Sequence, residues 1–87
     1  MKDIKKLFST PHARIYQAVS YAITHCDNED DQMRWCQSNF AILRPGSKIH
    51  TIDGIFTARK YGLFEKDNQK YQFNVVFKAV KKSLESE

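Results

Sequence analysis

Glycine, proline and cysteine are scarce in this chain, and each shortage excludes something. The three glycines, at positions 46, 54 and 62, stand far apart, so no glycine-rich loop is present to cradle a phosphate. Two prolines, Pro11 and Pro45, make neither a polyproline tract nor a linker. Two cysteines, Cys26 and Cys36, lack the two-to-four-residue pairing typical of zinc sites. Each falls on the apolar face of a predicted helix, where a free thiol packs as a small hydrophobe. No apolar run approaches the roughly 18 residues that span a bilayer, and no signal-peptide core follows the basic start MKDIKKLFST. A cytoplasmic protein is the expectation. His12, His25 and His50 are scattered, without a nucleophile–histidine–carboxylate set or a His-Glu-x-x-His motif. No catalysis, metal or cofactor is therefore expected.

What is present is enough for one domain over residues 1–87, with residues 1–9 as a lead-in and 85–87 as a frayed tail. Eleven aromatic residues supply a small core with bulky side chains. The charge is unevenly placed. Residues 1–43 carry five basic and five acidic side chains, whereas residues 44–87 carry nine and five, so the whole net charge of +4 lies in the second half. That asymmetry favours a polyanionic partner.

The apolar spacing predicts helices. Thr10 and Pro11 form a helix start, and Ile15, Ala18, Val19, Ala22, Ile23 and Cys26 follow as one stripe up to Asp27-Asn28. Asn28 is a candidate cap for a second helix, with Glu29, Asp30 and Asp31 matched to its positive dipole end. Its stripe is Met33, Cys36, Phe40 and Leu43, and Pro45-Gly46 stops it. Ser47 is a candidate cap for a third helix over residues 47–61, with Ile49, Ile52, Ile55 or Phe56, and Arg59 on one face and Gly62 closing it. Gly54 inside that helix fits either close helix packing or close approach to a nucleic-acid backbone.

Residues 63–66 and 69–73 read as paired strands. A turn at Asp67-Asn68 sets Glu65 against Lys70 and Phe64 against Tyr71, and a shift to Asn68-Gln69 keeps the aromatics on one face. Asn74 is a candidate cap for a last helix that buries Val76, Ala79, Val80 and Leu84, with Lys78, Lys81 and Lys82 outside.

The sequence ARKYGLFEKDNQKYQF over residues 58–73, in the order helix, strand, polar loop and aromatic strand, resembles the winged helix-turn-helix superfamily. The resemblance covers about residues 11–77. It implies an α+β fold of three helices, a two-stranded wing and a C-terminal helix. It further implies double-stranded DNA as partner, with helix 47–61 in the major groove and the wing along the backbone. The expected contacts are Arg44, Ser47, Lys48, His50, Thr51, Thr57, Lys60 and Tyr61 from the helix and its approach, and Lys66, Asn68 and Lys70 from the wing. Lys60 and Arg44 would hold phosphates, while His50, Thr51 and Thr57 would face bases. The role implied is a small regulator of transcription or of phage or mobile-element replication or excision, possible as a homodimer on a two-fold target. The alternative is a protein–protein module, an inhibitor or adaptor anchored by Trp35 with Tyr16, Tyr21 and Tyr61.

Overall fold

The computed structural model describes residues 13–86. Within them run α1 (Ala13–His25), α2 (Glu29–Ala41), β1 (Lys48–Thr51), β2 (Gly54–Ala58), β3 (Phe64–Lys66), β4 (Gln69–Tyr71) and α3 (Phe73–Glu85). The class is α+β: among the described residues, three helices and one antiparallel sheet in the order β1-β2-β3-β4. The expected lead-in over residues 1–9, the Thr10 and Pro11 start, His12 and Glu87 lie outside the described residues. No described helix is long and apolar enough to cross a membrane.

The first two helices form where their stripes predict. α1 buries Ile15, Tyr16, Ala18, Val19 and Ala22. Asn28 caps α2 by accepting from the Asp31 N–H at 2.8 Å, which satisfies one of the amide groups left over in a first helical turn. α2 buries Cys36 and Phe40 but ends at Ala41, short of Pro45-Gly46, and the loop to β1 passes through Gly46 at φ +96°.

Residues 47–61 are not a helix, and this corrects the three-helix-plus-wing expectation. They form the β1–β2 hairpin, with Ile49 opposite Phe56 and His50 opposite Ile55. Five of the ten residues 49–58 are β-branched, which favours a pleated strand over a helix. Ile52 and Asp53 make the turn. Thr51 Oγ1 accepts from the Asp53 N–H at 3.1 Å and donates to the Gly54 carbonyl at 2.8 Å. Ser47 caps nothing; it lies in the loop before β1, and its carbonyl accepts from the Ala58 N–H at 2.7 Å.

The second hairpin follows the first of the two registers open in the sequence. Phe64 faces Tyr71 and Glu65 faces Lys70, around a two-residue turn at Asp67 and Asn68 with φ of +53° and +65°. Two positive φ values mark the turn whose twist matches paired strands. β4 is shorter than expected, because Phe73 opens α3 with Gln72 as its N-cap, rather than Asn74. The C-terminal residues expected to fray include Glu85, the last residue of α3, followed by Ser86, whose N–H donates to the Lys82 carbonyl at 3.0 Å.

The sheet thus has four strands instead of two, and the helices cover one face of it. Ile49, Phe56, Ala58 and Phe64 point inward to Ile15, Val19, Phe40, Val76 and Phe77. An edge contact of Phe40 with Phe64 ties helix to sheet, a tilted contact of Phe40 with Phe73 joins α2 to α3, and an edge contact joins Phe56 to Tyr71 within the sheet. Each such pair adds about 0.5–1.5 kcal/mol beyond the area it buries. The alternate residues Lys48, His50, Ile55 and Lys70 are exposed on the other face.

Candidate nucleic-acid interface

Antiparallel pairing determines which loops share an end of the sheet. The β1–β2 and β3–β4 turns lie at one end. The β2–β3 connection, the entry to β1 and the exit from β4 lie at the other. Both turns at the first end carry a carboxylate, Asp53 and Asp67, each held by a lysine: Lys82 at 2.9 Å and Lys66 at 3.1 Å. The opposite end gathers Arg44, Lys48, Arg59, Lys60 and Lys70. Glu65 is the one acid on the strands there, and Arg59 Nε already binds it at 2.8 Å.

Pairing also aligns side chains across the strands. Lys48, Thr57, Glu65 and Lys70 form a single row on the face away from the helices. His50 and Ile55 make the next pair toward the turns. Among the described residues, no ion pair engages Arg44, Lys60 or Lys70. Their charges are therefore available to phosphate.

The expected contact set divides accordingly. Arg44, Ser47, Lys48, Thr57, Lys60, Tyr61 and Lys70 come together at or near the basic end. Thr51 and Asn68 belong to the two turns at the other end, and Thr51 spends its hydroxyl within its own turn. Lys66 turns to the core side of β3, its ammonium 5.7 Å from the Phe56 ring centroid. The hydrogen bond to Asp67 holds that ammonium above its ordinary pKa. Arg59 and Glu65 were missed because the helical spacing assigned Arg59 to a buried face. Their cross-strand pairing required the β2–β3 register.

Tyr61 is the most unusual residue of the site. Its side chain is 94% exposed, and its backbone sits at φ +66°, ψ +26° in the Lys60–Gly62 turn. That left-handed conformation costs a non-glycine residue about 1–2 kcal/mol. A strained backbone that holds a large aromatic in water is a pattern found at binding sites. Beside it, a cleft of about 340 Å³ opens between the C-terminal half of α2 and the start of α3. Phe40, Leu63 and Phe73 line it, with Gln37 and Gln72 as its amides. A second cleft of about 360 Å³ lies along the same turn and reaches Pro45, Arg59 and Lys60.

A different aromatic group lies on α1 and α2. Tyr21 stacks on His25 with centroids 3.9 Å apart and on Trp35 at 4.7 Å, and both Tyr21 and Trp35 are about half exposed. Tyr16, expected beside them as an anchor, is fully buried, and its hydroxyl donates to the His50 carbonyl. Comparison with known protein families, curated proteins and solved structures finds no match for this chain, so the functional reading rests on the side chains and their placement.

Proposed function

We propose that the protein binds nucleic acid through the basic end of its sheet, as a small regulator acting on DNA or RNA. The observation that carries this is the separation of charge along the strands. Arg44, Lys60 and Lys70, engaged by no ion pair among the described residues, gather at the end of the sheet that holds the Tyr61 turn, while the turn carboxylates Asp53 and Asp67 sit at the opposite end with lysine partners. Arg44, Lys60 and Lys70 hold phosphates, and Thr57 and His50 offer polar groups in the rows beside them. The major-groove docking expected of helix 47–61 has no helix to carry it, so contact passes to the strands and the β2–β3 turn.

The test is fluorescence anisotropy of labelled oligonucleotides at about 50 and about 200 mM salt. Three phosphate contacts correspond to a loss of affinity of roughly twenty- to forty-fold between the two conditions. Lys60→Ala and Lys70→Ala each lower the slope by about one unit and weaken all sequences alike. Absence of binding at the lower salt, or slopes unchanged in both variants, overturns the proposal.

The protein-module reading has one observation in its favour, the exposed Tyr21–Trp35 stack. It gains over nucleic acid only if Trp35→Ala abolishes capture of a protein partner that binds with little salt dependence.

A further inference from the structure

We propose that the nucleic acid is single-stranded, and that one unstacked base enters the cleft beside Tyr61. This rests on the reading above and names the class of ligand. The two hairpin turns at the far end of the sheet each present a carboxylate, Asp53 or Asp67. Inserting either into a duplex groove would place that carboxylate among phosphates. The turn at the basic end, residues 59–63, carries no acid. It has instead an exposed ring and a cleft of mixed polar and apolar lining.

The cleft suits a base. Its volume of about 340 Å³ lies in the range of small-ligand sites. The half-buried Leu63 and Phe73 offer aliphatic and aromatic surface over the buried Phe40, and Tyr61 stands at the mouth, 94% exposed, as a stacking partner. Gln37 and Gln72 border it, and a glutamine amide carries a donor and an acceptor in one plane, the pattern that matches a base edge. A base paired inside a duplex exposes neither face for stacking, so this combination serves an unpaired strand. Lys60, next to Tyr61, and Arg44 in the loop before β1 take the flanking phosphates. The amino end of α3 adds to this: Gln72 makes no capping bond with its side chain, and the first turn carries no acid.

The experiment compares a labelled mixed-sequence single strand of about ten nucleotides with its duplex, using the full chain and three variants. The wild type binds the single strand at least about tenfold tighter than the duplex. Tyr61→Ala reduces single-strand affinity by roughly ten- to a hundred-fold with an unchanged salt slope, because stacking carries no net charge. Tyr61→Phe keeps the affinity. Tyr61→Gly loses it without loss of stability, since glycine tolerates the left-handed backbone; this separates ring loss from misfolding. Equal affinity for duplex and single strand, or no effect of Tyr61→Ala, overturns the base-in-cleft inference and leaves the phosphate reading on its salt slope. Absence of wild-type binding to either form at low salt overturns both.

Discussion

Gly54 shows how a single residue selects between the structures its neighbours allow. It starts β2 at φ +123°, and a β-carbon there would stand 3.1 Å from Lys66 Cδ. The lysine stem can move aside, whereas the backbone angle cannot be relaxed without opening the turn. Strain therefore dominates over contact, and Gly54→Ala lowers stability by about 1–2 kcal/mol. The urea midpoint falls at constant slope if the fold is otherwise intact; an unchanged midpoint contradicts the assignment. In sequence, Gly54 looked like a helix position tolerated for packing or close approach. The Asp-Gly pair between β-branched residues was the signal for a hairpin. The same local chemistry at Asp67-Asn68 was readable, because strand residues flank that turn on both sides.

At the scale of elements, β1–β2 is a hairpin because α3 accepts it. The Ser83 hydroxyl is buried; it donates to the Ala79 carbonyl at 2.8 Å and accepts from the Ile52 N–H at 2.8 Å. Lys82 reaches Asp53 of the same turn, but both side chains are largely exposed. Solvent screens an exposed pair to about 0–1 kcal/mol, while a stranded buried donor costs about 1–3 kcal/mol. Ser83→Ala therefore destabilises more than Lys82→Ala, and in hydrogen-exchange measurements it speeds exchange at Ile52. Equal effects of the two variants count against the clamp. The apolar positions 49, 52 and 55 or 56 fit a helical spacing as well as a strand hairpin with a turn at 52–53. A run this short does not separate the two periods. Only the neighbouring α3 and β3, more than a few residues away, do so.

For the whole molecule, one core couples stability to pH. Burial pushes the Cys36 thiol up from its ordinary value of 9.0 to about 11, with smaller opposing help from its backbone hydrogen bond. Cys36 is a neutral acid in the folded state, and the unfolded chain releases its proton first. Between about pH 9 and 11 the unfolded state binds fewer protons, so stability is full below pH 9 and declines through this window. Urea titrations of the wild type and of Cys36→Ala check this: the variant loses the alkaline decline attributable to the thiol, whatever its lower overall stability. A decline of the same size in the variant assigns it elsewhere. The other property of whole-molecule scale is the charge separation along the sheet. Each lysine and arginine was visible in the sequence, yet the gathering of Arg44, Lys48, Arg59, Lys60 and Lys70 at one end followed from strand direction.

The sequence by itself determined α1, α2, most of α3 and the β3–β4 turn, because stripes of 13-residue helices and a two-residue turn are decided by interactions within a few residues. It also placed the cationic excess in the second half and offered Lys60, Tyr61 and Lys70 as candidate contacts, since charge and residue type need no partner to be seen. The tertiary structure alone decided that residues 48–58 pair as strands, that Lys66 turns to the core side, and that Gln37 and Gln72 meet Tyr61 around one cleft. Those outcomes depend on hydrogen bonds and packing between segments distant along the chain, and no local period encodes them.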